Sequence, residues 1–432
     1  MNEMKFKRIL FYTAILISIP YKLFFIYYQD VQFGPDALEY IYLKGLFNKL
    51  GLINYITSSD PLTFWRLPLL PYLLYLCKLN FLFFSFQMFL SYFLSFNIYK
   101  IIFKLTNKHK SSLFAAIIVL FLPYINIAAA STLSEFLQVF LIIYIFRKDL
   151  YKEYDAFFFF ANSAVILLRP EMYTFVLLLF VKNIIFNRGR YLIYFCFPLL
   201  VAISWMYRNK VEFGNFTLVN PILSSRAIIG SIYGKIYMAE PHPFHDKYDY
   251  YQGKDYIHNI GFINEYKNVV SHEFTSYIKR NPIKFILHRI KMITYGFSLV
   301  AFNMERLPDE HWKFYSGDNR AMITTTNATW AYSYLIKHHQ YFKLFLRLLY
   351  HSNYLFFHFL GLIFILLNYK KLYPIIFIFI SFGYVFLVEV DMRYLITLQV
   401  LCYSFGVVAL INLIKYHHLY LAPDSFSPNS SQ

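Results

Sequence analysis

Charged residues are scarce in this chain: Asp, Glu, Lys and Arg together make up only 15% of its 432 residues. Hydrophobic residues make up 58%, and the mean hydropathy is +0.43. A water-soluble protein of this length carries far more charge, because its surface must be solvated. The apolar stretches are continuous rather than alternating, so they predict an all-α membrane protein whose helices span the bilayer.

Cysteine is almost absent, and the few present exclude some kinds of site. Cys77, Cys196 and Cys402 lie in separate apolar stretches, without the spacing of a disulfide framework or of metal ligands. The chain also lacks a P-loop, a dinucleotide-binding glycine motif and a GxSxG motif. Nucleotide-driven chemistry and serine hydrolysis therefore have no support.

A weak metal motif is formed by His242, His245 and Asp246, which share one polar stretch. A proline stands between the two histidines, and the stretch reads as a loop rather than as a helix face. No metal ligands and no cofactor are assigned, although a divalent metal is left open.

Acidic residues are few compared with basic ones: 24 Asp and Glu stand against 41 Lys and Arg, for a net charge of +17. Such an excess is typical of positively charged cytoplasmic loops that attract anionic membrane lipids. Binding of nucleic acid would need a contiguous basic soluble domain, and the short loops provide none. Membrane lipids are expected partners and nucleic acid is not.

Ten spans are predicted from the apolar runs. They lie at about 9–28, 82–103, 111–127, 131–146, 155–168, 172–186, 191–207, 346–367, 372–388 and 393–414. The first run continues to Tyr28 without a small-residue cleavage site, which favours a retained span over a signal peptide. With the N-terminus in the cytoplasm, the basic loop ends fall inside, and the short outer loops hold only Arg169 and Arg393 as cations. The same parity places the C-terminus inside.

This topology divides the chain into four parts. They are an N-terminal transmembrane catalytic module (1–207, with a first outer loop at 29–66), a larger extracytoplasmic segment (208–345), C-terminal transmembrane helices (346–414) and a cytoplasmic tail (415–432). The first outer loop is expected to contain an amphipathic helix on the membrane surface, from Asp36 to Leu50. An interfacial helix is expected at 283–302, and residues 67–81 are expected to dip into the membrane without crossing it.

Asp36 is the strongest candidate for chemistry, because it lies in this first outer loop with Glu39 and Tyr40 one helical turn further on. The i, i+3, i+4 spacing places all three on one helix face, where an acid could act beside a second acid. The alternative is that Asp36 only caps the surface helix, with Gly34 and Pro35 as the entry turn.

Basic and acidic residues at the ends of the predicted spans supply further candidates. Arg66, which follows Trp65, is placed either to bind a lipid phosphate or to anchor the loop at the headgroups. Ser134 and Glu135 open an apolar span, where an unpaired charge is costly and hence a functional candidate.

Two more clusters lie at the predicted outer ends of spans. Arg169 and Glu171 either neutralise each other at a hairpin or line an anion site. Arg208 and Asn209 mark the exit of a span into the large outer segment. Arg393 is an isolated cation that breaks the positive-inside pattern, which favours a bound anion there.

The order of these motifs resembles that of the polytopic GT-C glycosyltransferases, the group that contains protein O-mannosyltransferases and lipid A aminoarabinose transferases. The similarity runs from Asp36 to Tyr394 in the following residues: Asp36-x-x-Glu39-Tyr40, Trp65-Arg66-Leu67-Pro68, Ser134-Glu135, Arg169-Pro170-Glu171, Trp205-x-x-Arg208-Asn209, Phe213-Gly214 and Glu389-x-x-x-Arg393-Tyr394. Each motif is short, and the specificity comes from their order and their topology.

The resemblance implies transfer of a sugar from a polyprenyl-phosphate donor to a glycan, lipid or protein acceptor on the extracytoplasmic face. Asp36 would be the general base, and Arg66, Arg169, Arg208 and Arg393 would hold the donor phosphate. The remaining matched residues, assigned to substrate binding, are Glu39, Tyr40, Glu135, Glu171 and Asn209. Ala37 follows Asp36 where many members have a second acid, so no metal site is assigned there.

Two other functions fit a polytopic chain. A transporter or flippase of lipid-linked glycans would place ionisable residues along a mid-membrane path and show inverted repeats. The ionisable candidates cluster instead at one predicted face, and no repeat is evident. A non-catalytic scaffold of the same fold is the third reading. The Phe-, Ile-, Tyr- and Lys-rich composition fits AT-biased bacterial coding, so the bacterial inner (cytoplasmic) membrane is the expected location.

Overall fold

The computed structural model describes residues 3–28, 35–60, 62–78, 80–132, 134–170, 172–187, 192–219, 341–381 and 396–421, with a few short stretches between 272 and 339. Every regular element within these residues is a helix, as the sequence predicts. The extracytoplasmic segment predicted at 208–345 lies mostly outside the described residues. Of the interfacial helix predicted at 283–302, residues 283–287 and 290 are described, and they are helical.

The helices with described bounds are numbered in chain order. They are α1 (Glu3–Tyr28), α2 (Pro35–Ile56), α3 (Leu62–Trp65), α4 (Leu69–Leu76), α5 (Asn80–Thr106), α6 (His109–Phe121), α7 (Pro123–Ala129), α8 (Glu135–Tyr151), α9 (Ala156–Leu168), α10 (Met172–Asn187), α11 (Leu192–Phe213), α12 (Tyr341–Leu367), α13 (Tyr369–Ser381) and α14 (Ile396–Leu421).

Each predicted span overlaps a helix or a pair of helices, although residues 382–388 and 393–395 of the last two lie outside the described residues. The count of ten spans stays a prediction. Among the described residues, three stretches are long and apolar enough to cross a membrane: Ile9–Ile26, Asn80–Thr106 and Ile396–Ile414. The pair α6 and α7 makes a fourth if the two helices form one bent span. A helix as short as α9, with 13 residues, extends about 20 Å, whereas the hydrocarbon core of a bilayer is about 30 Å thick.

The span predicted at 111–127 is broken rather than straight. Helices α6 and α7 meet at an angle of 52°, with Leu122 between them in an extended conformation. Pro123 is the cause, because its ring disfavours helical geometry at the preceding residue and it has no N–H to donate. The break leaves the last carbonyl groups of α6 without helical donors.

Side chains supply the missing donors at this break. The amine of Lys22, on α1, donates to the carbonyl of Leu120 at 3.3 Å and to Oδ1 of Asn126 at 2.6 Å. The hydroxyl of Tyr21 donates to the carbonyl of Phe121 at 3.1 Å, and the amide of Asn126 donates to Leu120 at 3.1 Å. Lys22, a charge inside the first predicted span, is therefore buried as a cap for the end of another helix.

Helix α8 is bound by an ion pair at each end. Near its start, Glu135 pairs with Arg169, the residue that ends α9. Near its other end, Asp149 pairs with Lys182 of α10. The carboxylates of Glu135 and Asp149 are each only 1% exposed. Arg169 lies just before the start of α10, so the first pair joins the beginnings of α8 and α10. The second pair joins later turns of the same two helices. Helices α8 and α10 therefore run parallel, and α9 runs back between them.

Helices α12 and α14 approach each other at two glycines. A Cβ atom added to Gly361 would lie 1.8 Å from the carbonyl oxygen of Cys402, and one added to Gly406 would lie 2.1 Å from that of Phe357. Neither position has room for a side chain. This backbone-to-backbone packing is typical of helices in membranes, where small residues let helices come close.

Several helices extend past their predicted ends, α11 and α14 by the most residues. Helix α11 continues to Phe213, beyond the predicted limit of 207, so Arg208 and Asn209 lie in its last turns rather than in an outer loop. Helix α14 continues to Leu421, beyond 414. Both extensions contain polar residues. The spans were predicted from apolar runs, so the predicted ends came too early.

Candidate functional site

Helix α2 has the amphipathic pattern that the sequence predicts, and it is interrupted at Gly51, one residue after the predicted end. Gly51 has a φ of 72°, a left-handed conformation that glycine adopts without strain. The buried residues Tyr40, Leu43 and Phe47 lie on one face of α2. This face packs against protein, with Leu67 and Trp205 among its neighbours, rather than lying only on a membrane surface.

Asp36 is the second residue of α2, which begins at Pro35. It therefore lies inside the first turn of the described helix, and both roles considered for it, general base and helix cap, stay predictions. An acid in the first turn is favoured by the positive end of the helix dipole. Its side chain lies outside the described part of the structure.

Glu39 and Tyr40, one turn after Asp36, both contact Arg66. Oε2 of Glu39 accepts a hydrogen bond from Nε of Arg66 at 2.6 Å, across 27 residues of sequence. The guanidinium carbon of Arg66 lies 5.4 Å from the centroid of the Tyr40 ring. The two side chains of the ion pair are 28% and 18% exposed, so this pair is partly open to solvent or ligand. The face of α2 that bears the predicted acids thus also holds a predicted phosphate-binding cation.

Arg169 and Glu135, which the sequence placed in separate clusters, form an ion pair that the sequence did not suggest. Nη2 of Arg169 lies 2.7 Å from Oε1 of Glu135, and Nε of Arg169 donates to Oγ of Ser134 at 2.8 Å. The sequence analysis paired Arg169 with Glu171 or with an anion. Glu171 lies outside the described residues, and the carboxylate that the structure gives to Arg169 is that of Glu135.

Two further buried polar side chains contact residues close in sequence to this ion pair, and sequence reasoning missed them. Gln87 of α5 donates to the carbonyl of Ser131 at 3.0 Å. Gln138, one turn after Glu135, lies 3.5 Å from the sulfur of Met172. Both glutamines are buried. Their only signal in the sequence was a polar residue within an apolar run, which is unusual in a membrane helix.

Arg208 is buried and binds the polypeptide of the first loop. Its Nε donates to the carbonyl of Ile56 at 2.7 Å, and its Nη2 donates to the carbonyl of Ser58 and, at 2.7 Å, to Oγ1 of Thr63. Its Nη1 donates to Oδ1 of Asn209 at 2.8 Å. An arginine side chain does not lose its proton in proteins. The guanidinium therefore remains a cation at neutral pH.

These contacts give Arg208 and Asn209 a structural role, and their predicted role in binding a substrate stays a prediction. Asn209 donates to the carbonyls of Thr217 and Leu218 at 2.7 and 3.0 Å. The pair thereby connects the first loop, the end of α11 and the chain that follows it. A guanidinium that donates to this many protein oxygens anchors the loop.

The three arginine-bearing segments meet at one hydrophobic cluster. Its buried members are Leu43, Phe47, Tyr55, Leu67 and Trp205, and Leu167 packs against them. Leu67 adjoins Arg66, Leu167 precedes Arg169 by two residues, and Trp205 lies one turn before Arg208. The cluster therefore brings motifs that are far apart in sequence to one end of the bundle.

Some of the predicted site residues lie outside the part of the chain that the structure describes. Arg393 and Glu171 lie outside the described residues, as do His242, His245 and Asp246. Within the part of the chain that the structure describes, no group of three or more His, Cys, Asp or Glu side chains is arranged to hold a metal ion.

Comparison with models of protein families, with curated proteins and with solved structures finds no match. A function can therefore be inferred only from the residues themselves. Chemically, the site combines cations that hold an oxyanion well, namely Arg66 and Arg169, with acids on neighbouring helical turns.

Proposed function

We propose that this protein is an integral membrane glycosyltransferase of the GT-C type. It moves a sugar from a polyprenyl-phosphate donor to a glycan, lipid or protein acceptor on the extracytoplasmic face. The supporting observation is the convergence of the Glu39–Arg66 pair, the Glu135–Arg169 pair and the Arg208 anchor around one hydrophobic cluster. Several acids and guanidinium groups at one end of a helical bundle fit a reaction that removes a proton and releases a phosphate.

The proposed reaction is a displacement at the anomeric carbon of the donor sugar. Asp36 accepts the proton of the acceptor hydroxyl, whose oxygen forms the new bond to that carbon. The bond between the same carbon and the phosphate oxygen breaks, and polyprenyl phosphate leaves with the electron pair. Negative charge grows on this phosphate, and fixed guanidinium groups stabilise it without changing their protonation.

Among the cations, Arg66 suits direct contact with the donor phosphate. Its ion pair with Glu39 is partly exposed, whereas the guanidinium of Arg169 is largely buried. Arg393 is proposed as a further phosphate ligand on the basis of the motif order alone. Arg208 serves the site indirectly, by fixing the loop from Ile56 to Thr63 that leads to Arg66.

In the membrane, the proposed arrangement has ten spans with both termini in the cytoplasm. The site then faces the extracytoplasmic side of the bacterial inner membrane, where lipid-linked sugars and envelope acceptors meet. The apolar helices α1, α5 and α14 support insertion into a membrane. The sidedness rests on the distribution of Lys and Arg between the loops.

The decisive experiment supplies purified protein with a panel of polyprenyl-phosphate sugars and measures sugar-dependent release of polyprenyl phosphate. Asp36→Asn is expected to abolish release while the protein remains folded and in the membrane. Asp155→Asn is the matched control, because Asp155 caps α9 at the far end of α8 through the N–H of Phe158, and Asn caps helices as well as Asp does. Unchanged release by Asp36→Asn would refute the assigned base, and no release with any donor would refute the function.

A further inference from the structure

The end of the bundle opposite to the Glu135–Arg169 pair carries cations around a single aromatic ring, that of Tyr151. Nζ of Lys104, on α5, lies 5.4 Å from the centroid of this ring, and the guanidinium carbon of Arg147 lies 6.0 Å from it. The hydroxyl of Tyr151 donates to the carbonyl of Lys100 at 3.0 Å, which fixes the ring between the last turns of α5 and α8. Lys104, Arg147 and Tyr151 are called the Tyr151 patch below.

The charges of this patch are only partly neutralised. Nη2 of Arg147 lies 3.0 Å from Oε2 of Glu153, and Lys148 lies 3.1 Å from the same oxygen. Residues 100–110 contain four lysines and no acidic residue. Within the described residues, Lys104 has no carboxylate within ion-pair distance.

One donor of the patch is buried without an acceptor. The Nε–H of Arg147 has no hydrogen-bond partner among the described residues, although the atom is shielded from solvent. A buried donor in this state costs about 1–3 kcal/mol, and in a native fold it often indicates a ligand or a water molecule. Cations at the ends of helices also compensate the negative end of the helix dipole. That effect accounts for the position of Lys104 but leaves the Nε–H of Arg147 unsatisfied.

We infer that the Tyr151 patch binds the phosphate of an anionic phospholipid headgroup. A phosphate oxygen accepts from the Nε–H of Arg147, and the amine of Lys104 pairs with the same headgroup. Charge-assisted hydrogen bonds of this kind are the strong ones. Tyrosine is common at the level of the headgroups, and each Lys or Arg there contributes about 1 kcal/mol toward an anionic leaflet. This site is independent of the proposed sugar transfer.

The test measures the thermal unfolding of the full-length protein in micelles of an uncharged maltoside detergent, which contains no phosphate, with and without added phosphatidylglycerol. Phosphatidylglycerol is expected to raise the unfolding temperature of the wild-type protein, because a ligand that binds the folded state stabilises it. Lys104→Gln should lose most of this rise, whereas Lys104→Arg, which keeps the charge, should retain it. Arg147→Lys, which lacks the Nε–H donor, should also reduce it.

Lys49→Gln is the control, because Lys49 is an exposed lysine on α2, in the first-loop region. It should show the full wild-type rise. An equal loss in Lys49→Gln and Lys104→Gln would overturn the site in favour of a general charge effect. An equal rise with inorganic phosphate alone would overturn the lipid assignment in favour of a free anion. No rise in the wild-type protein would overturn the inference as a whole.

Discussion

Arg169 donates a hydrogen bond of 2.7 Å to Glu135, a residue 34 positions earlier in the chain, and both side chains are buried. The pair closes the hairpin formed by α8 and α9 at the end where the motifs converge. Opposite charges at this depth are tolerated only as partners, because removing one leaves the other buried and uncompensated.

The first prediction concerns this pair. Glu135→Gln and Arg169→Gln should each lower the free energy of unfolding by about 3–5 kcal/mol, because each leaves a buried charge without its partner. The double variant should be less destabilised than the sum of the two single variants. Unfolding in detergent, followed by the near-ultraviolet signal of the aromatic residues, measures all three. Strictly additive effects would show that the two side chains are not energetically coupled.

The second prediction separates stability from activity at the partly exposed pair. Glu39→Gln should change the free energy of unfolding by about 1 kcal/mol or less, because exposed ion pairs contribute little. Sugar transfer should nevertheless fall, since Arg66 loses the carboxylate that orients it beside Tyr40. The measurements are thermal unfolding and the rate of polyprenyl phosphate release. A fall in activity that only follows a fall in folded protein would contradict this role for Glu39.

The third prediction tests the anchoring role of Arg208. Arg208→Gln should release the loop at 56–63 and destabilise the protein by roughly 2–3 kcal/mol, because hydrogen bonds from a charged group are lost. Limited proteolysis should then cut within this loop. Lys210→Gln is the control, since Lys210 is exposed two residues further along the same helix. A loop that stays protected in Arg208→Gln would argue against the anchor.

The fourth prediction concerns the close approach of α12 and α14. Gly361→Ala and Gly406→Ala should each destabilise the protein by about 1–3 kcal/mol, because the added methyl group would overlap a backbone carbonyl. Gly45→Ala is the matched control, since a Cβ at Gly45 meets no atom within 4 Å. That change should be neutral or stabilising by about 0.5–1 kcal/mol, as alanine favours a helix over glycine. The unfolding temperatures of the three variants measure these effects. Equal temperatures for all three would contradict the close approach of α12 and α14.

The fifth prediction addresses the broken helix. Lys22→Met should lower stability by about 1–3 kcal/mol, because Leu120 and Asn126 lose their donor in a buried place. Lys49→Met, the same change at an exposed lysine of α2, should have little effect. Equal unfolding temperatures for the two variants would mean that Lys22 does not support the break.

The helices were predictable because long apolar runs and the periodic pattern of an amphipathic helix are both visible in sequence. Helix α2 shows this well, since Tyr40, Leu43 and Phe47 repeat at helical spacing and are buried together. The bend before Pro123 also had a signal, namely the proline itself, but the apolar run continued through it and was read as one straight span.

The partners of the polar residues were not predictable in the same way. Glu135 with Arg169 and Arg208 with Ile56 are separated by 34 and 152 positions, and their meeting depends on how the helices pack. Sequence spacing reports only neighbours on one helix face. The anchoring contacts of Arg208 were missed for this reason: its charge was visible in the sequence, but the carbonyl groups that accept from it were not.

In the proposed ten-span topology, the ion pairs at the two ends of α8 bear on how this region enters the membrane during synthesis. An unpaired charge in a membrane helix is costly, and the partners of Glu135 and Asp149 lie further along the chain. Arg169 and Lys182 emerge from the ribosome only after α9 has been made. Helix α8 is therefore expected to wait beside the insertion machinery until α9 and α10 follow, so that the three leave it as one electrically compensated unit.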